Sequence, residues 1–228
     1  MYNLVIVRCG ENKDKIKRIF TGWRETEITN FGIKQSYLSG MLLRYHNFKF
    51  DLSYTSMLKR SIRFIRNILE ITNSLETPII NNWKFNEKNY GCIQGLNKIK
   101  LCNIYGKEKF FIIRRSYRYI EKRVSFRSIK HQIFNKSYSR LNPIILPGAE
   151  SLKNTFKRII SIWNESVIPA IKLGKSIIIV SHGNSLRALI KHINSISEIQ
   201  IQGINIPSGK PLIYKFDKKI KPKKFFYL

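Results

Sequence analysis

The chain predicts an α/β fold: a three-layer sandwich with a mostly parallel central sheet and helices on both faces. Three observations point there. NLVIV at 3–7 and SIIIV at 176–180 are short runs, apolar after their first residue, of the kind that form strands buried on both faces. Segments with helical apolar spacing lie between them, so strand and helix alternate along the chain. Both apolar runs pass directly into polar residues grouped around a glycine, as strands do when they lead into a site at the carboxyl edge of such a sheet.

Taken in order, residues 3–7 form the first strand, closed by Arg8-Cys9-Gly10 as a turn, and a helix follows at about 33–46. Leu52 to Thr55 is a short strand. Leu58, Ile62, Ile65 and Leu69, at intervals of four, three and four, form the apolar stripe of the next helix. Pro78-Ile79-Ile80 is a further strand, and NNWKFNEKNYG after it has no period and reads as a loop. The stretch from about Arg114 to Pro147 is basic and poorly periodic, an excursion near the site within one domain spanning 1–228. Leu152, Phe156, Ile159, Ile160, Trp163 and Val167 make another helical stripe. After the strand at 176–180, Ser185 is expected to cap the last helix.

Composition narrows the classes. The 228 residues are 43% hydrophobic, enough for a sizeable core, and the start MYNLVIVRCG reads as a strand rather than a signal peptide. No apolar run approaches the ~20 residues a membrane span requires. The expected compartment is the cytosol, with no membrane partner. Cys9, Cys92 and Cys102 fit neither a zinc site nor a disulfide framework, and Cys92 and Cys102 read as small packing residues. The formal charge is +28, but lysine and arginine are scattered over nearly every segment. We read this as compositional drift, with a nucleic-acid or other polyanion surface as the alternative.

The chemistry concentrates where the two apolar strands end, in RCGEN (8–12) and SHGNS (181–185). In a parallel sheet Arg8, Cys9 and His182 converge in one crevice, beside backbone N–H groups and a helix N-terminus that favour an anion. A guanidinium directly after four apolar residues needs a carboxylate or phosphate partner. The cations beside Cys9 are expected to lower its thiol pKa.

Beyond these residues the chain resembles the cofactor-dependent phosphoglycerate mutases of the histidine phosphatase superfamily. LVIVRCGE, FTGW at 20–23, YTSMLKRSIRF from Tyr54, FNEKNYG from Phe85 and GLNK at 95–98 carry the resemblance, in the family's order. RRSY at Arg114, PGAESLK from Pro147, WNESVIPAIKLGK from Trp163 and SHGNSLRALIKH to His192 continue it. The resemblance implies interconversion of 2- and 3-phosphoglycerate in glycolysis and gluconeogenesis, primed by 2,3-bisphosphoglycerate and without a metal. It implies that Cys9 stands at the nucleophile position, where the family has histidine. Arg8 and Arg60 would clamp the transferring phosphoryl, Glu87 would exchange a proton with the substrate hydroxyl, and His182 would donate a hydrogen bond to phosphoryl oxygens. Thr21, Gly22, Tyr90, Lys98, Arg114, Arg115, Gly183 and Asn184 match substrate-holding positions. Asn12 and Lys15 stand where the family has serine and asparagine. The implied partner is a small phosphorylated metabolite; homo-oligomers occur in the family, though no interface is legible in this sequence. Three readings follow: a mutase that uses Cys9, a mutase-like chain that binds phosphoglycerates without turnover, and a basic protein that uses the fold for polyanions.

Overall fold

A computed structural model describes residues 2–228. In chain order the elements are β1 (Tyr2–Arg8), α1 (Lys13–Ile16), α2 (Asn30–Tyr45), β2 (Leu52–Thr55), α3 (Lys59–Ile71), β3 (Ile79–Asn81) and α4 (Lys98–Arg115). They continue with α5 (Leu152–Ile162), α6 (Ile168–Lys172), β4 (Ile177–Ser181), α7 (Gly183–Ile193), β5 (Leu212–Phe216) and β6 (Pro222–Tyr227). One six-stranded sheet has the order β3-β2-β4-β1-β5-β6. The first four strands in that order run parallel, while β5 pairs antiparallel with β1 and β6 antiparallel with β5.

Alternation along β1 and β4 divides the core in two. Leu4, Ile6, Ile177 and Ile179 pack under α5, α6 and α7, with Leu152, Ile159, Ile171 and Leu189 in the same cluster. Val5, Val7, Ile178 and Val180 face the other way, onto Leu43 of α2 and Phe64, Ile65 and Ile68 of α3. All eight strand residues are essentially inaccessible, which is why both strands read as unbroken apolar runs. The three-layer α/β expectation therefore holds.

Several local expectations need correction. The first long helix begins at Asn30, not at about 33, because Thr29 caps it by accepting a hydrogen bond from the Gly32 amide at 3.0 Å. Ser185 does not cap α7. His182 occupies the N-cap position, and Ser185, inside the helix, donates instead to the Asn86 carbonyl at 2.5 Å. The stripe at 152–167 is interrupted: α5 passes through a π turn at Trp163–Val167 before α6, where Pro169 lacks the N–H that a continuous α-helix would use. Arg114 and Arg115 close α4 instead of opening an excursion. The segment beyond them folds through short 3₁₀ turns that bury Tyr138 and Leu146 with Trp23. Cys92 is exposed, its thiol 3.3 Å from the Arg123 carbonyl, so it is not a packing residue; Cys102 is half-buried.

Candidate active site

The register of β1 and β4 builds the site. Arg8 lies opposite Ser181, and the Cys9 amide donates to the Ser181 carbonyl at 2.8 Å, carrying the pairing one residue beyond the strands. Cys9 and His182 therefore emerge side by side, with Cys9 Sγ 3.3 Å from His182 Nδ1. From the end of β2, Ser56 meets the other ring nitrogen, its Oγ 2.8 Å from Nε2. Both nitrogens of His182 are thus engaged within the protein.

Around this centre, all fifteen residues singled out in the sequence line one cavity of about 200 Å³: Arg8, Cys9, Asn12, Lys15, Thr21, Gly22, Arg60, Glu87, Tyr90, Lys98, Arg114, Arg115, His182, Gly183 and Asn184. Gly10, Phe20, Arg187, Asn205 and Ile206 complete the wall and were not anticipated. Arg187 had a legible signal, since it lies one helical turn after Gly183 on the same face of α7. Asn205 and Ile206 come from an unpatterned loop that carries none.

Backbone carbonyls hold many of the cations. Arg8 Nη1 donates to the Ile206 carbonyl at 2.6 Å, and Arg60 reaches the Arg24 and Gly22 carbonyls, each at 2.8 Å. Gly22 has φ +53°, a left-handed backbone that presents its carbonyl to Arg60 and that a side chain would strain. Arg187 donates to the Ile204 carbonyl and to Asn184 Oδ1, both at 2.9 Å. Lys98 lies over the Phe20 ring and Arg114 over Phe110. Asn12 caps α1, its Oδ1 accepting from the Lys15 amide at 2.9 Å, while Lys15 Nζ reaches Ser208.

Glu87, the one carboxylate in the wall, is oriented from behind. Its Oε1 accepts from the Lys88 and Asn184 amides at 2.8 and 3.1 Å. Its carbonyl accepts from the Trp23 indole and from Arg158, itself in a buried ion pair with Glu150 at 2.7 Å. That pair ties α5 to the Glu87 loop, since Glu150 also accepts from the Asn89 amide and Arg158 donates to the Lys84 carbonyl.

Seven cationic side chains (Arg8, Lys15, Arg60, Lys98, Arg114, Arg115 and Arg187) thus face one carboxylate. Burial lowers the pKa of Lys15, Lys98 and Arg115, and neighbouring arginines lower each further. Arg187 falls to about 10, by burial and then by Arg115. Tyr90 is pushed up to about 12 by burial and then by Glu87. The expected depression of the Cys9 pKa is overturned. Burial raises it, outweighing the opposing pull of Arg60 and Arg8. His182 is driven well below its usual value by burial, then by Arg60, Arg158 and Arg8, so it is a neutral imidazole and adds no charge. Among the described residues no cluster of His, Cys, Asp or Glu is placed to hold a metal ion, and no helix is long and apolar enough to cross a membrane.

Two layers of helices on a mostly parallel sheet, with a cation-lined cavity at the carboxyl edge of β1 and β4, define a phosphate-handling α/β protein. Residues 4–132 match the histidine phosphatase superfamily (branch 1), and the chain belongs to that superfamily. It is 40% identical to the 2,3-bisphosphoglycerate-dependent phosphoglycerate mutase of Buchnera aphidicola subsp. Cinara cedri, over 99% of this chain and 98% of the relative. Solved structures share the fold at lower identity. The α-ribazole phosphatase of Shigella flexneri superposes with a TM-score of 0.68 at 18% identity, covering 95% of this chain and 92% of that one. The phosphoglycerate mutase of Bacillus anthracis gives 0.67 at 17%, covering 94% and 88%.

Two measurements check these electrostatics. At neutral pH, iodoacetamide followed by peptide mapping should label the exposed Cys92 before Cys9; faster labelling of Cys9 would show that the arginines, not burial, set its protonation. Lys88, buried behind Glu87 and bonded to the Ile113 carbonyl at 3.0 Å, has its pKa lowered from 10.5 to about 8 by burial. The folded protein releases this proton near pH 8 and the unfolded chain near 10.5, so the unfolded state holds more protons between those values and stability rises with pH there. Urea titrations should show the native protein gaining about 3 kcal/mol relative to Lys88→Met across that window. Parallel pH curves for the two proteins would contradict it.

Proposed function

We propose that this protein is a cytoplasmic phosphoglycerate mutase primed by 2,3-bisphosphoglycerate, a single catalytic domain in which Cys9 accepts the phosphoryl group. One observation carries the reading: fifteen residues from distant parts of the chain meet in one cavity that gathers seven cations around a thiol–imidazole contact. Such a cavity suits a small ligand with several negative charges. The 2,3-bisphosphoglycerate primer is such a ligand, and the donor set fits it: Arg60 and Arg8 act on Cys9, while Lys98, Arg114, Arg115 and Arg187 supply further cations to the same wall. When bound, the primer supplies the phosphoryl group.

Cys9 sulfur attacks phosphorus as the phosphorus–oxygen ester bond breaks. The electron pair of that bond stays with the departing oxygen, which takes a proton from the Glu87 carboxyl. The thiol proton passes to His182 Nδ1, the acceptor 3.3 Å away. Arg8 and Arg60 hold charge that spreads over the equatorial oxygens during transfer. In the return step Glu87 takes the proton from the attacking substrate hydroxyl, the sulfur–phosphorus bond breaks, and His182 returns its proton to sulfur. Return of the phosphoryl group to the free hydroxyl of a monophosphoglycerate gives the bisphosphate. Reorientation of that bisphosphate before Cys9 takes the other phosphoryl group exchanges the 2- and 3-positions, with Glu87 serving either of the two neighbouring oxygens.

A second reading, phosphoglycerate binding without turnover, is favoured by the raised thiol pKa of Cys9. A coupled assay on 3-phosphoglycerate with priming 2,3-bisphosphoglycerate separates the two. The native protein should turn over, and Cys9→Ala should lose at least ~100-fold in kcat, since the nucleophile is gone. Turnover by Cys9→His but not by the native chain would establish the second reading.

A further inference from the structure

We propose that Ser56 and Ser61 are positioning residues that hold His182 in its Nε2–H tautomer, so that the Nδ1 lone pair faces the Cys9 thiol as the base that receives its proton. The inference deepens the role given to Cys9 above and rests on that reading for its use in catalysis. The assignment itself follows from counting hydrogens. A serine hydroxyl has one hydrogen to donate and two lone pairs to accept with.

The count starts at the far end of the chain of contacts. Ser61 Oγ is 2.9 Å from the Leu58 carbonyl, which can only accept, so the Ser61 hydrogen is committed there. Ser61 Oγ is also 2.5 Å from Ser56 Oγ, and the hydrogen between these two oxygens must then come from Ser56. Ser56 is left with acceptance alone. It accepts from the Leu58 amide at 3.2 Å, and its second lone pair meets His182 Nε2 at 2.8 Å. Nε2 must therefore carry the proton. In the neutral imidazole Nδ1 is then unprotonated, and the contact at 3.3 Å is S–H donating to nitrogen.

The opposite direction fails on the same geometry. If Ser56 donated to Nε2, two hydroxyl oxygens would lie 2.5 Å apart with no hydrogen between them, or Ser61 would face the Leu58 carbonyl with none. Water does not resolve the conflict, since Ser56 and Ser61 are wholly buried and His182 is 3% exposed. Every donor in the row Cys9, His182, Ser56, Ser61 thus points the same way, ending on a backbone carbonyl of the turn that opens α3. Neither serine lines the cavity, so both act on the thiol only through the ring.

The test is ¹⁵N NMR of the histidine side chains in the full-length protein without substrate, with His182→Gln assigning the signal among the four histidines. The expected result is a pyridine-type Nδ1 and a pyrrole-type Nε2–H for His182. Ser61→Ala frees the Ser56 hydrogen to turn toward Nε2, and the pyridine-type Nδ1 signal should be lost or averaged with its pyrrole-type counterpart. A native protein with Nδ1–H would overturn the proposal without any variant, and so would a Ser61→Ala spectrum identical to the native one. The readout is taken without turnover, so an inactive chain with the expected tautomer would count against the function proposed above and not against this assignment.

Discussion

Concentrated positive charge at the carboxyl edge of the sheet is the constraint from which most of the site follows. Seven cations share a small cavity with a single carboxylate, and among the described residues no ion pair neutralises them. Each is held instead by neutral partners, chiefly carbonyls such as Gly22, Arg24, Ile204 and Ile206, or by aromatic faces. Carbonyls fix the guanidinium groups without cancelling their charge. Burial first, and then repulsion from neighbouring arginines, lowers the lysine and arginine pKa values, and a multiply charged anion relieves the repulsion. The buried ion pair of the region, Arg158 with Glu150, is set behind the wall, where it braces the Glu87 loop and spends none of the cavity's charge.

The same burial determines how a thiol behaves there. In water-exposed surroundings the neighbouring arginines would draw the proton off Cys9; here desolvation of sulfur outweighs them, and burial, then Arg60, Arg158 and Arg8, keeps His182 neutral. Sulfur and imidazole therefore share one proton in a site that disfavours either a thiolate or an imidazolium alone. In the proposed mechanism an arriving dianionic phosphoryl group changes that balance, since its charge offsets the arginines and lets the imidazole accept the thiol proton. Coupling proton transfer to phosphate arrival suits a group meant to react with phosphate esters rather than with any electrophile.

Much of this was legible in the sequence, for a physical reason. Strands buried on both faces leave unbroken apolar runs, and their abrupt ends at Arg8 and Ser181 mark where polar chemistry begins. The resemblance then carried fifteen positions to one cavity, including Glu87 in a loop with no periodicity of its own. What stayed hidden depends on contacts between distant segments. In the antiparallel β5–β6 pair the buried strand β5 is interrupted by Lys215, and its partner β6 is mostly exposed, so the pattern of β6 is weak. Ser185 does not cap because it lies inside α7 with its hydroxyl on the Asn86 carbonyl, and His182, at the N-cap position, makes no side-chain capping bond. The direction of the Cys9 pKa shift could not be read from neighbouring charges, because burial, a tertiary property, outweighs them.

The central claim is that a sulfur takes the place of an imidazole nitrogen as phosphoryl acceptor. Its most direct test is rapid quenching of the native protein mixed with 2,3-bisphosphoglycerate, followed by peptide mapping under conditions that preserve thiophosphate esters. The account predicts a phosphoryl group on the peptide containing Cys9, chased off when 3-phosphoglycerate is added. A phosphoryl group on His182 or on any other residue, or turnover with no phosphorylated peptide at any time, would contradict it.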